Sequence, residues 1–165
     1  MDVLTILSKG PKETHQFGQM LSKWLKPGDV ISIIGELGAG KTVLVKGIAT
    51  GLDIDQTTVT SPTFSLINEY TAQVPLFHFD AYRIRRPEEW EDLGYEEYFR
   101  GRGISVVEWG NLVEDYLPRK YLEITIDKEP TGEKHRKISL MDVGDGYGEL
   151  VAGLQEEVSH AYPRD

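Results

Sequence analysis

The chain alternates between short apolar segments of strand length and stretches in which apolar residues recur at helical spacing. Strands are predicted at residues 3–7, 30–34, 64–70, 74–80, 104–107, 121–126 and 137–141. Helices are predicted at residues 17–25, 44–52, 112–117 and 150–158, and where Pro87 precedes two glutamates. Strands and helices alternate early in the chain, and strands neighbour each other later. This order favours an α/β fold with a largely parallel central sheet and antiparallel additions.

The composition is that of a globular protein with one domain. The 165 residues suit a single core, and neither a repeat nor a low-complexity linker divides residues 1–165. The 27 acidic residues outnumber the 18 basic ones, and the net charge of −9 argues against a broad basic surface for RNA or DNA. The absence of cysteine excludes disulfides, thiolate metal sites and cysteine nucleophiles.

The sequence contains no pattern of a membrane or export segment. Its apolar runs are shorter than the roughly 18 residues that a membrane span needs, and the N-terminal residues lack the features of a secretory signal. We therefore expect a cytoplasmic protein without a membrane partner.

Residues 35–42 read GELGAGKT, a complete phosphate-binding loop of the Gly-x4-Gly-Lys-Thr type. The loop follows an apolar strand and opens a helix, which is the context that its chemistry requires. Glycines let successive backbone N–H groups point at phosphate oxygens, and the following helix contributes the positive end of its dipole. Lys41 is expected to reach the β and γ phosphates, and the Thr42 hydroxyl to bind Mg²⁺. The motif predicts a three-layer fold of the P-loop NTPase type.

Two acidic residues follow predicted strands and are candidates for the metal and for catalysis. Asp80 ends the strand at 74–80, and Glu108 follows the strand at 104–107. A phosphate loop requires an acidic group of this kind to hold the metal. His78 alternates with Phe77 and Phe79, so we expect it to face the opposite side of the sheet from them. A structural role for this histidine is favoured over a catalytic one.

Each of four further features has two possible interpretations. The hydroxyl-rich loop at 57–63 is either a nucleotide-sensitive switch or a surface loop. Arg83, Arg85 and Arg86 either stabilise transition-state charge or pair with surface acids. The aromatic segment at 93–99 either forms a docking patch or packs in the core. Trp109 is either a wall of the nucleotide pocket or a core residue.

The motifs together resemble the TsaE family, also called YjeE. These motifs are the phosphate loop, SPTF at 61–64, HFDAYR at 78–83, LGYEE at 93–97 and VEW at 107–109. The phosphate loop is common to many families, whereas SPTF, HFDAYR and VEW at these intervals are specific. The similarity extends from about residue 10 to the strand near residue 126.

The resemblance implies a cytoplasmic ATPase required for making threonylcarbamoyladenosine (t6A) at adenosine 37 of tRNA. Its partners would be the proteins TsaD and TsaB, whose TsaD subunit transfers a group that TsaC supplies as an adenylate. Contact with tRNA would be indirect, through the complex. The ATPase would be slow alone and stimulated by its partners.

The resemblance and the motifs together assign the site residues. Residues 61–64 would act like switch I, and Asp80 would act near the attacking water or the metal. Adenine is expected between the segment at Pro11 and the loop around Glu133. The catalytic residues would be Lys41, Asp80 and Glu108, and the ligands of Mg²⁺ would be Thr42, Glu108 and Asp80. The residues expected to bind ATP or ADP are Pro11, Glu36, Leu37, Gly38, Ala39, Gly40, Lys41, Thr42, Thr63 and Glu133.

Three other functions share parts of this pattern. A small-molecule or nucleotide kinase uses the same loop in domains of this size, and it is the main alternative. A GTPase switch is disfavoured because no Asn-Lys-x-Asp motif occurs. A nucleotide-binding protein without turnover would differ only in releasing no phosphate.

Overall fold

A seven-stranded sheet forms the centre of the computed structural model, which describes residues 3–62 and 66–162. Across the sheet the described strands follow the order β1, β7, β6, β2, β5, β4, β3. Their bounds are β1 Val3–Ser8, β2 Val30–Ile34, β3 Ile67–Tyr70, β4 Leu76–Asp80, β5 Ile104–Glu108, β6 Tyr121–Lys128 and β7 Arg136–Val143.

The parallel part of the sheet is confined to its four central strands. Strand β2 pairs in parallel with β5 and β6, and β4 pairs in parallel with β5. Strands β3, β7 and β1 are added in antiparallel fashion at the two edges. The prediction of a largely parallel sheet therefore holds for the centre. Strand β3 directly precedes its partner β4, and β7 directly follows its partner β6. A short turn between consecutive strands permits only antiparallel pairing.

Helices cover both faces of the sheet. The helices are α1 Pro11–Ser22, α2 Lys41–Gly51, α3 Pro87–Glu91, α4 Tyr95–Phe99 and α5 Gly148–Ala161, and short 3₁₀ helices span Gln56–Thr58 and Gly110–Tyr116. Helices α1, α2 and α5 pack on one face against an aliphatic core cluster. Helices α3 and α4 pack on the other face around Phe79, Trp90 and Phe99. The three-layer α/β prediction is confirmed.

Most predicted elements exist, with shifted ends. Helix α1 ends at Ser22, but the backbone N–H of Trp24 still donates to the Leu21 carbonyl at 3.0 Å, so helical spacing continues into the turn. The helix predicted at 112–117 is instead the 3₁₀ helix Gly110–Tyr116. The strand predicted at 64–70 is observed from Ile67, and its first residue, Phe64, lies outside the described residues. No helix in the described ranges is long and apolar enough to cross a membrane.

Candidate nucleotide-binding site

The phosphate loop connects β2 to α2 at the edge where the parallel strands end. Gly38 and Gly40 have φ values of 80° and 106°, in the left-handed region where a side chain would strain the backbone. Gly40 immediately precedes α2, so the unpaired N–H groups of the first helical turn lie at the loop. This position outside the carboxyl ends of parallel strands is where open α/β sheets bind ligands.

The Lys41 ammonium is buried at the centre of the loop. Its Nζ donates to the carbonyls of Gly35 at 2.7 Å and Glu36 at 2.9 Å, and it lies 4.3 Å from the centre of the Trp109 ring. Burial lowers the pKa of Lys41, while the negative charges of Glu108 and Asp80 oppose that shift. The ammonium thus has neutral carbonyl partners, and a phosphate oxygen is a stronger acceptor than these.

Thr42, Ser61 and Glu108 bring oxygen atoms together beside the loop. The Thr42 hydroxyl lies 3.0 Å from Ser61 Oγ and 3.4 Å from each carboxylate oxygen of Glu108. Hydroxyl and carboxylate oxygens suit Mg²⁺, which usually keeps several waters and binds substrate phosphates through its other positions. Among the described residues no group of three or more His, Cys, Asp or Glu could hold a metal ion alone. The donor set therefore fits a metal shared with phosphate, not a site built only from protein.

Asp80 lies next to Glu108 across the parallel pairing of β4 with β5. Its Oδ1 accepts a hydrogen bond from the backbone N–H of Tyr82 at 3.0 Å. Burial raises the pKa of Asp80, the Tyr82 hydrogen bond opposes the shift, and the Glu108 carboxylate adds to it. A carboxyl group with a raised pKa beside a phosphate site is a candidate proton acceptor.

These groups share one cavity of about 480 Å³. This volume falls within the range of small-molecule sites. Of the predicted site residues it brings together Leu37, Gly38, Gly40, Lys41, Thr42, Asp80 and Glu108. Its other walls are Val43, Ser61, Pro62, Tyr82, Arg83 and Trp109. Glu36 and Ala39 belong to the loop without lining this cavity.

A second cavity, of about 160 Å³, lies on the other side of the phosphate loop. Pro11, Ala39 and Arg136 are among its walls. The expected adenine position between the Pro11 segment and the loop around Glu133 corresponds to this cavity. The Glu133 side chain is exposed and outside the lining, and its carbonyl accepts from Arg136 Nη1 at 2.9 Å.

Arg136 is a residue of the site that the sequence analysis missed. Its guanidinium donates to the carbonyls of Ala39 at 3.1 Å and Gly38 at 3.3 Å, and to those of Glu133 and His135 at 2.9 Å each. Arg136, at the start of β7, thus links the phosphate loop to the β6–β7 hairpin through hydrogen bonds to both. The sequence signal is only a basic residue in a polar turn, which does not distinguish it from its neighbours.

The structure resolves the open question about Trp109. This residue has φ 61°, in the left-handed region that a bulky side chain rarely adopts. Its ring centre lies 4.8 Å from that of Tyr82, and the ring contacts the Lys41 ammonium. Trp109 also packs against the core cluster around Phe79, so it is both a wall of the pocket and a partly buried residue at the edge of the core. Backbone strain of this kind is typical of functional sites.

The other open features divide between the site and the scaffold. In the hydroxyl-rich loop, Ser61 contacts Thr42, whereas Thr57 lies in a 3₁₀ helix capped by Asp55 and is outside the cavity. Thr63, predicted to bind nucleotide, lies outside the described residues.

Most of the arginine and aromatic candidates lie away from the cavity. Arg83 lines it, while Arg85 and Arg86 do not. The aromatic segment packs mainly into the core, where Phe99 is buried and lies 5.7 Å from Phe79, between ring centres.

His78 is buried on the same face of the sheet as the site. Phe77 and Phe79 belong to the opposite core cluster, as the alternation predicts. The Nε2 atom of His78 lies 2.5 Å from Glu108 Oε2. His78 is therefore hydrogen-bonded to Glu108, one of the candidate metal ligands.

Comparison with known proteins identifies the family. The family model for "Threonylcarbamoyl adenosine biosynthesis protein TsaE" matches residues 8–138. A tRNA threonylcarbamoyladenosine biosynthesis protein TsaE from Bacillus subtilis is 45% identical over 145 residues, which cover 87% of this chain and 89% of that protein. The protein of the same name from Treponema pallidum is 37% identical, over 81% of this chain and 97% of its own length.

A solved structure agrees with the sequence comparisons. The crystal structure of Bacillus subtilis YdiB superposes with a TM-score of 0.79 at 37% identity, covering 94% of this chain and 96% of that one. The sequence and the fold are thus both similar to those of known relatives. The chain belongs to the TsaE family.

Proposed function

We propose that the chain binds ATP with Mg²⁺ beside the phosphate loop, hydrolyses it, and acts as the ATPase component of tRNA threonylcarbamoyladenosine biosynthesis. The observation that carries the proposal is the approach of Thr42 to Glu108, with 3.4 Å between the hydroxyl and each carboxylate oxygen, beside a complete phosphate loop. The names of relatives that align with most of the chain supply the pathway.

The loop and Lys41 are proposed to bind the phosphates. Backbone N–H groups at the start of α2 point outward at the loop, and phosphate oxygens would accept from them. The Lys41 ammonium, already buried among carbonyls, would exchange those partners for β and γ phosphate oxygens at little further desolvation cost.

Thr42 and Glu108 are the proposed ligands of Mg²⁺, and Asp80 is the proposed group for the attacking water. When bound, the ion would neutralise charge on the β and γ phosphates. Asp80 lines the same cavity, and its raised pKa increases its affinity for the proton that water loses. Its hydrogen bond from the Tyr82 backbone would hold the carboxylate in place for this purpose.

The proposed partners are the TsaB and TsaD proteins, with tRNA engaged through their complex. Arg83 is the only one of the three candidate arginines that lines the cavity in the described part of the chain, and it is exposed there. In P-loop enzymes an arginine that a partner supplies to the γ phosphate can raise the rate about 10³–10⁵-fold. Leu37 and Tyr82 are exposed at the same cavity, and their apolar surface would be covered by such a partner.

The proposal is tested with purified proteins. The chain is mixed with the TsaB–TsaD pair in the presence of ATP or of ADP, and complex formation is measured by size-exclusion chromatography. We expect a stable complex with ATP and a weaker one with ADP. No complex in either state would contradict the partner assignment, and equal binding in both states would contradict its dependence on the bound nucleotide. A phosphorylated small molecule formed in proportion to ATP consumed would instead support the kinase alternative.

A further inference from the structure

His78 occupies a position in the core where an aliphatic side chain would leave no polar atom without a hydrogen bond. Its side chain is fully buried on β4, and the neighbouring core residues on that face, Leu76 and Val106, are aliphatic and also fully buried. The Nδ1 atom of His78 has no hydrogen-bond partner among the described residues. A buried polar atom without a partner costs stability. Packing alone therefore does not account for a histidine at this position.

The register of the central strands places His78 beside the candidate metal ligand. Asp80 is the partner of Glu108 between β4 and β5, and His78 is the partner of Val106. Side chains two residues apart on a strand share a face, so His78 and Asp80 both lie on the side of Glu108. His78 reaches diagonally across the pair, and its Nε2 lies 2.5 Å from Glu108 Oε2.

This contact restricts the orientation of the Glu108 carboxylate. The side chain of Glu108 is buried, with 3% of the residue exposed, so little water competes for its oxygens. With Oε2 bound to His78, both oxygens stand 3.4 Å from the Thr42 hydroxyl. A carboxylate must be deprotonated to bind Mg²⁺, so in the metal-binding state the hydrogen in this bond would belong to Nε2 of the imidazole.

We propose that His78 is a positioning residue that donates its Nε2 hydrogen to Glu108 and holds that carboxylate toward Thr42 for Mg²⁺. The inference rests on the proposed function, because it concerns a ligand assigned there. Groups that hydrogen-bond to metal ligands orient them, and their loss costs about 10- to 100-fold in metal affinity. His78 itself touches neither the metal nor the nucleotide in this role.

The test compares three variants by their Mg²⁺ requirement for nucleotide binding. Binding of a fluorescent ATP analogue is measured with no metal and across a Mg²⁺ titration. His78→Leu removes the donor, and His78→Gln retains an amide N–H at the same distance along the side chain. Phe77→Leu is the matched control, because it alters a buried residue of the same strand on the opposite face. Thermal unfolding of each variant verifies that it is folded.

We expect His78→Leu to raise the half-saturating Mg²⁺ concentration about 10-fold or more. Metal-free binding should change little, and His78→Gln should restore most of the Mg²⁺ response. Phe77→Leu should leave the Mg²⁺ titration at the parent value. A further comparison uses Glu108→Gln, in which the additional change His78→Leu should have no effect on Mg²⁺, since the two residues act through one contact.

Two results would overturn the inference alone. In the first, the parent responds to Mg²⁺ and His78→Leu responds identically. In the second, His78→Leu weakens binding equally with and without metal, as a general packing defect would, and Gln brings no recovery. If His78→Leu does not fold, His78→Asn takes its place, because its shorter amide does not reach Glu108, and a Mg²⁺ titration equal to that of Phe77→Leu would then contradict the positioning role. A parent protein whose nucleotide binding ignores Mg²⁺ would overturn the proposed function, and this inference with it.

Discussion

Replacing Arg136 with alanine is expected to loosen the phosphate loop without touching the phosphates. In the parent protein the guanidinium donates to two loop carbonyls, those of Gly38 and Ala39, and to two carbonyls of the hairpin turn. A hydrogen bond to a charged group contributes about 1.5–3 kcal/mol to stability. Because Arg136 is partly exposed, we expect each of its bonds to contribute at or below the low end of that range. Because the bonds share one side chain, we assign about 2 kcal/mol to the group as a whole.

This free energy predicts two measurable changes. For a domain of this size 1 kcal/mol corresponds to about 2–4 °C in Tm, so Arg136→Ala should lower Tm by about 4–8 °C. The freed loop must then be ordered when ADP binds, and we expect ADP affinity by calorimetry to fall about 10-fold. Arg136→Lys keeps the charge but cannot reproduce the forked geometry of the guanidinium. Its Tm and its ADP affinity should therefore lie between those of the parent and those of Arg136→Ala.

Arg100→Ala is the matched control for the loss of one positive charge. Arg100 is exposed and pairs with Glu96 at 3.7 Å on the surface of α4. Exposed pairs of this kind contribute about 0–1 kcal/mol, so Tm and ADP affinity should stay close to the parent values. The reasoning is refuted if Arg136→Ala matches Arg100→Ala in both measurements, since the loop would then need no support from the hairpin.

Four further substitutions separate the roles of the site residues. Lys41→Ala should lower ATP affinity at least 10-fold, because the phosphates lose a charged hydrogen bond of about 1.5–3 kcal/mol; calorimetry that finds undiminished binding would refute the assignment of the loop. Thr42→Ala and Glu108→Ala should weaken the Mg²⁺ dependence of binding more than metal-free ADP binding, and parent-like Mg²⁺ titrations in both would refute the metal assignment. Asp80→Asn should retain ATP binding and depress turnover, measured as phosphate release, whereas equal turnover would remove Asp80 from catalysis. Because burial raises the pKa of Asp80, the folded state holds this proton more tightly than the unfolded state, and stability falls as pH rises through the interval between the two pKa values. Asp80→Asn should therefore raise the Tm of the nucleotide-free protein at pH 7, with a gain that shrinks toward pH 4; a gain that is absent at pH 7 would contradict the shift.

The parts of the molecule that could be predicted from sequence are those determined by local pattern. The apolar run at Val30–Ile34 is buried from Val30 to Ile33, as expected for a central strand covered on both faces, and the near-continuous apolar sequence alone indicates this. The loop at residues 35–42 was predictable because its glycines and Lys41 lie within eight consecutive residues. The alternation around His78 correctly predicted its face, since side-chain direction in a strand has a fixed period.

The parts that could not be predicted depend on contacts between distant segments. The bond from His78 to Glu108 requires the register of β4 against β5, and no local pattern sets that register. Arg136 reaches the phosphate loop across 97 positions of sequence, and a single basic residue carries no sign of this. The left-handed backbone of Trp109 is equally invisible, because it follows from the turn between β5 and the 3₁₀ helix and not from the residue type.

The central claim is that this site hydrolyses ATP as part of the threonylcarbamoyladenosine machinery. The most direct test is steady-state phosphate release by the purified chain, alone and with stoichiometric TsaB–TsaD, in the absence of tRNA and with Lys41→Ala as the inactive control. We predict slow release alone and an increase with the pair that approaches the roughly 10³–10⁵-fold range known when a partner completes a P-loop site. A rate that the pair leaves unchanged, or release that persists in Lys41→Ala, would contradict the account.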